Sequence, residues 1–136
     1  MSERFVHHVR PRYAEIDQQG VVFNAHWLTY FDEASTRFID SLGFPPSVAF
    51  FRDFDLMIVK AVVEWQGPAG FDDDVAIAVA PGRIGTKSLD LVYTATCNGS
   101  AACVGTITYV SVVPGTHESV AIPDSLRAAL NSVAPA

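Results

Sequence analysis

The arrangement best suited to chemistry in this sequence is a carboxylate placed a few residues ahead of a helix start. Asp17 falls within residues 14–23, which read as a loop with Gly20 as the turn signal, and a helix is expected to follow from Asn24. Gly20 allows the backbone to turn tightly between the two. The first-turn N–H groups of a helix are unpaired and carry a positive partial charge. A carbonyl held against them is polarised, and the negative charge developing on its oxygen is stabilised. Asp17 could then attack the carbonyl carbon or activate a water. So sparse a site favours a leaving group that needs little help. A thiol has a pKa near ~8.5 and departs as thiolate, whereas an ester or amide asks for a general acid that is not evident here. By position alone Asp17 reads sooner as a solvated loop residue or a helix cap, since aspartate is common in loops. Spacing by itself does not decide.

The elements that must position these groups follow from periodicity. Trp27, Tyr30, Phe31, Ala34, Phe38 and Leu42 recur at spacings of three and four, with Leu28 and Ile39 widening the stripe, so residues 24–42 read as a helix. Apolar cover this broad implies a helix wrapped by other structure. Asn24 is the expected N-cap, and Gly43 with Pro45-Pro46 stops the helix. Phe5 to Tyr13 reads as a first strand whose end is bent by Pro11. Further strands are expected over 55–66, 73–81, 87–97 and 101–113, divided by turn signals at Gly67-Pro68, Pro81-Gly82 and Asn98-Gly99. A short helix over 123–132 closes the sequence, with Pro123 near its start and Asp124 in its first turn. One antiparallel β-sheet wrapped around a long central α-helix, an α+β fold, satisfies this order. A parallel arrangement would need more helices between strands. Exposed edge strands in so small a domain invite pairing, so at least a dimer is expected.

Composition narrows the function classes. The 136 residues suit a single domain, 1–136, and with 49% apolar and 18% charged residues the chain can build a core. The net charge of −6, without a dense basic stretch, argues against nucleic-acid binding. No basic start is followed by an apolar run, and no run approaches the ~20 residues of a membrane span, so a cytoplasmic protein is expected. Cys97 and Cys103 flank the Asn98-Gly99 turn; in a two-residue hairpin Cys97 would face Ser100 and Cys103 would face Thr94. That register disfavours a disulfide, and both are expected as small core residues. HExxH, GxSxG and P-loop patterns are absent from the sequence. His26 reads as a packing or capping residue, His7-His8 as strand neighbours pointing opposite ways, and His117 as solvated. Trp65 and the Phe50-Phe51 pair read as core or interface.

The stretch from Arg12 to Ser35 resembles the signature of the 4-hydroxybenzoyl-CoA thioesterase-like family of hotdog-fold proteins. The matching residues are Asp17, Gly20, Val21-Val22, Trp27, Tyr30-Phe31 and Glu33-Ala34. Gly67-Pro68-Ala69-Gly70-Phe71-Asp72-Asp73 and Arg83-Ile84-Gly85-Thr86-Lys87-Ser88 resemble later family segments. The resemblance implies a hotdog fold and hydrolysis of an acyl-CoA to free acid and CoA, with no cofactor or metal beyond the CoA of the substrate. It also implies a homodimer or homotetramer with sites between subunits. Asp17 matches the catalytic aspartate, and the backbone N–H of Asn24 matches the donor that polarises the carbonyl. Gly20, Val22, Phe23, His26 and Trp27 are expected around the substrate. Asp32 matches a position that contacts the acyl group across a subunit interface in the hydroxybenzoyl enzymes. Arg83, Lys87 and Ser88 fall where contacts to the CoA phosphates are expected, and the two cations suit an anion. Many relatives carry histidine at position 24 and asparagine at 26, where this chain has Asn24 and His26; the backbone donor survives the change. Two alternatives share these features: a thioesterase acting on acyl-carrier protein, and a non-catalytic acyl-CoA-binding protein. An aryl or a fatty acyl group fits the aromatic-rich helix equally.

Overall fold

The computed structural model describes residues 4–46 and 54–136; the Phe50-Phe51 pair lies outside the described residues. Five strands form one sheet: β1 (Phe5–Val9), β2 (Asp55–Trp65), β3 (Val75–Ile84), β4 (Ser88–Cys97) and β5 (Ser100–Val112). Their order is β1-β3-β4-β5-β2, and every neighbouring pair is antiparallel. Helix α1 (His26–Ser41) lies against one face, and a short α2 (Asp124–Asn131) follows the last strand. This is the α+β arrangement expected from the sequence.

Alternation explains how the sheet holds the helix. Successive strand residues point to opposite faces. On β3 and β4 the odd-numbered residues Val75, Ile77, Val79, Leu89, Leu91, Tyr93 and Ala95 are buried and join one core with Trp27, Phe31, Ala34 and Phe38 of α1. Burying each large apolar side chain contributes roughly 1.5–3 kcal/mol. At the centre Phe31 stacks on Tyr93 with ring centroids 4.7 Å apart. Gly105 makes this approach possible, because a Cβ there would come within 2.8 Å of Phe31 Cε2.

Several boundaries differ from expectation, each for a local reason. Strand β1 ends at Val9 rather than Tyr13: beyond Pro11 the chain folds into a single 3-10 turn over Tyr13–Glu15. Helix α1 starts at His26, with Ala25 in the cap position and no side-chain cap bond, so Asn24 is not the N-cap. Strand β3 continues through Pro81-Gly82 to Ile84, and the turn falls after it. The register shifts between Pro81 and Ile84, which accommodates a residue that has no N–H to give the ladder. Asn98 and Gly99 both have positive φ, 50° and 86°, as a two-residue hairpin turn of type I′ requires. Cys97 lies opposite Ser100 as expected, but Cys103 lies opposite Ala95 rather than Thr94, because the register shifts by one residue past Thr96. Both thiols are free and buried, and burial pushes Cys103 up to about 11. No helix among the described residues is long and apolar enough to cross a membrane.

Candidate active site

The loop carrying Asp17 is closed upon itself. The Asp17 N–H donates to the Val21 carbonyl (2.8 Å) and the Gly20 N–H to the Asp17 carbonyl (3.0 Å). Gly20 sits at φ 81°, where a side chain would be strained. Asp17 Oδ1 accepts the N–H groups of Gln19 (2.8 Å) and Val21 (3.5 Å). Those two bonds orient the carboxylate and leave Oδ2 without a donor among the described residues. The Val22 N–H donates to the Ala69 carbonyl (2.8 Å), tying the loop to the segment that follows β2.

The helix start completes the arrangement. The His26, Trp27 and Leu28 N–H groups are used by the carbonyls of Phe23, Asn24 and Ala25. The Asn24 N–H has no acceptor among the described residues. Trp65, at the end of β2, donates its Nε1–H to the Asn24 carbonyl (3.3 Å). Asp17 and Asn24 line one open cleft of about 320 Å³, together with Trp27, Trp65, Val22 and Pro68. Its apolar walls suit an acyl or thioether chain, and its polar end suits a carbonyl.

Glu15, which the sequence reading did not single out, anchors both sides of this loop. It is 8% exposed and accepts the Arg12 N–H (2.8 Å) and the Tyr30 hydroxyl (3.0 Å), with the Arg12 guanidinium 3.6 Å away. Its own carbonyl accepts the Phe23 N–H (2.9 Å). Burial pushes its carboxyl up, but the hydrogen bonds from Arg12 and Tyr30 and the Arg12 charge outweigh this and hold it below its ordinary value of 4.5. Burial, then the bond to Glu15, pushes the Tyr30 hydroxyl well up. A carboxyl with a depressed folded pKa contributes stability above its unfolded pKa, and loses it as pH falls through the folded value. Glu15→Gln is therefore expected to cost about 1–2 kcal/mol at pH 7. The gap between the two melting temperatures should narrow as pH drops below 4.5, read by calorimetric melts across that range.

The other expected site residues are distributed unevenly. Gly20 shapes the loop, and Val22 and Trp27 line the cleft; Phe23 is 46% exposed and packs edge-on against His26 (5.9 Å), at the helix start but not in the cleft wall. His26 packs against Phe23 and, like it, does not line the cleft, so the structure does not place it with the other residues expected around the substrate. His7 and His8 point apart, toward Glu33 (3.5 Å) and Asp74 (3.2 Å), and His117 is exposed. Trp65 is 56% exposed and forms cleft wall rather than core. Asp32 lies outside this cleft. Arg83, Lys87 and Ser88 lie at the far end of the sheet. Ser88 is opposite Val110 and through it Met57, whereas the cleft adjoins Trp65, opposite Cys103. Seven residues of β5 separate those levels, roughly 24 Å along the strand. Arg83 Nη2 donates to Ser88 Oγ (2.9 Å) and lies 3.7 Å from Asp90, leaving Lys87 as the freer cation. One chain therefore unites Asp17 with Asn24 but not with these phosphate-site candidates. No group of His, Cys, Asp and Glu among the described residues could hold a metal ion.

Known proteins are similar to this chain in fold and, more distantly, in sequence. The thioesterase-like superfamily model matches residues 11–130. A curated protein of Aquifex aeolicus named “Putative esterase” is 32% identical over 69 residues, 51% of this chain; the match spans about half of that protein, 54%. A solved gentisyl-coenzyme A thioesterase is 28% identical, with 93% of this chain and 99% of that one covered at a TM-score of 0.85. A protein from Staphylococcus aureus solved in complex with CoA shares the fold at 18% identity, with 96% and 83% covered and a TM-score of 0.85. With 120 of its residues, 11–130, inside that match, the chain belongs to the thioesterase-like superfamily, a family of hotdog-fold thioester hydrolases.

Proposed function

We propose that this protein hydrolyses an acyl-CoA, with an aromatic acyl group, to the free acid and CoA. The observation that carries the reading is the shared cleft: Asp17, with one carboxylate oxygen anchored, and Asn24, whose N–H has no acceptor among the described residues, line the same space. The Asn24 N–H polarises the thioester carbonyl and holds the developing oxyanion. Asp17, through Oδ2, attacks the carbonyl carbon or takes a proton from an attacking water. The CoA sulfur leaves as thiolate and is protonated by solvent. Trp27 and Trp65 offer the apolar walls against which the substrate packs. The gentisyl-CoA and CoA-bound relatives support an acyl-CoA as the substrate class.

The site is completed by a second copy of the chain. Strand β2 is an edge of the sheet, eleven residues long, and exposes Ile58 (51%), Val59 (60%), Val62 (51%) and Trp65 (56%). A long apolar edge is a hazard unless covered. Two-fold pairing of β2 with β2 of a second copy, antiparallel, covers both edges. It also sets the Trp65 end of one chain beside the Asp55 end of the other. The Asp17 cleft of each copy then adjoins Asp32 of the partner and the end of the sheet that bears Lys87.

Thiol release from acyl-CoA, followed with a thiol-reactive dye, tests the reaction. Turnover is expected on acyl-CoA and, followed by acid release at constant pH, not on the matching oxygen ester. Release only from acyl-carrier protein would move the reading to a carrier-borne substrate, and binding without release would make the chain a non-catalytic acyl-CoA binder.

A further inference from the structure

Trp65 is the last residue of β2 and a wall of the Asp17 cleft, yet more than half of it lies in solvent. Packing therefore constrains the ring only weakly, and hydrogen bonds aim it. The chain just beyond it is pinned, because the Gln66 and Gly67 N–H groups both donate to the Ala102 carbonyl (2.8 and 3.1 Å). Gly67 permits that approach: a Cβ there would come within 2.5 Å of the Ala101 carbonyl oxygen. From this fixed base the indole crosses to the start of α1 and donates Nε1–H to the Asn24 carbonyl (3.3 Å). Asn24 is also the residue whose N–H polarises the thioester in the proposed reaction. The peptide that carries this N–H is held on its other side. The Phe23 N–H donates to the Glu15 carbonyl (2.9 Å), and the Phe23 carbonyl accepts the His26 N–H (2.9 Å). The Phe23 carbonyl and the Asn24 N–H share one planar peptide and point opposite ways. A carbonyl turned into the helix thus sends the N–H out from its start. What remains to be fixed is the far side of Asn24, where the helical bond from the Trp27 N–H is long, at 3.3 Å. The indole meets the residue there.

We propose that Trp65 is a positioning residue for the oxyanion donor: its indole N–H, held on the Asn24 carbonyl, keeps the Asn24 N–H aimed into the cleft. The inference rests on the thioesterase reading of that cleft. A donor of this kind works because its place is fixed before charge develops on the substrate oxygen. Looseness at Asn24 raises the barrier while leaving ground-state binding largely intact. The side chain then does two separable things. Its N–H serves turnover, and its apolar face serves binding.

Two substitutions separate them. Trp65→Phe keeps an aromatic wall and removes the donor. Trp65→His removes the benzene half of the wall but keeps an N–H, since imidazole Nε2 occupies the ring position of indole Nε1. The substrate is benzoyl-CoA, with thiol release read at about pH 8, where the imidazole is neutral. Loss of a direct oxyanion donor costs about 100-fold or more, and loss of a group acting through it should cost less. Trp65→Phe should therefore lower kcat about 10-fold with KM within about 2-fold of wild type. Trp65→His should restore kcat to within about 3-fold of wild type and raise KM instead. Unchanged kcat in Trp65→Phe, or a kcat in Trp65→His no better than in Trp65→Phe, overturns the proposal. Should the wild-type protein release no thiol from benzoyl-CoA or octanoyl-CoA, the hydrolase reading fails by itself. Nuclear magnetic resonance then decides the contact: the Trp65 indole proton should exchange with solvent at least ~10-fold more slowly than that of free tryptophan. Exchange at the free rate overturns it.

Discussion

Asp17→Asn should lower turnover of acyl-CoA by at least ~100-fold, on the scale of losing a general base or nucleophile. The variant is informative because the loop does not need the charge. An asparagine carbonyl can still accept the N–H groups of Gln19 and Val21, which hold Oδ1 in place at 2.8 and 3.5 Å. The fold should therefore survive, with melting close to wild type, while the reacting oxygen is replaced by an amide. KM should change little, since the cleft walls formed by Trp27, Trp65 and Pro68 are untouched. Near-normal hydrolysis by the variant would end the assignment of Asp17. Label found in Asp17 after a single turnover in labelled water shows a covalent anhydride opened at the Asp17 carboxyl carbon; activation of water by Asp17 leaves the aspartate unlabelled and puts the label in the product acid.

The second large effect concerns assembly. Val59→Lys combined with Val62→Lys adds two ammonium groups beside Lys60 on an edge that the proposed dimer buries. Both positions are more than half exposed in one chain, at 60% and 51%, so the charges cost the isolated fold little. Against the same strand of a second copy, however, the added charges lose water and repel their counterparts along the edge, and lysine is a residue natural edges use to prevent pairing. The variant should sediment as a monomer with an unchanged circular-dichroism spectrum. Its kcat/KM should drop by about 100-fold, since small displacements of positioning groups cost that much. A fully active monomer would show that one chain holds a complete site.

What the sequence alone determined is what local physics governs. The three-and-four spacing from Trp27 to Phe38 specified α1, and the alternation of Val75, Ile77 and Val79 specified a half-buried strand, because side-chain period depends only on the backbone of that segment. The Asn98-Gly99 turn was legible for the same reason: two positive φ values suit those residues. Asp17 and Gly20 marked a loop before a helix, and the family signature pointed to the aspartate. The tertiary structure decided everything that depends on register and strand order. A single shift past Thr96 moved Cys103 from Thr94 to Ala95. The order β1-β3-β4-β5-β2 carried Arg83, Lys87 and Ser88 to the opposite end of the sheet from Asp17, a separation no spacing along the chain encodes. Glu15 looked like an ordinary charged loop residue until Tyr30 and Arg12 closed over it. Trp65 became part of the cleft only because β2 ends where α1 begins, so that its indole reaches the Asn24 carbonyl. Contacts of this kind arise between segments far apart in sequence, and the free energy that selects them belongs to the packed whole.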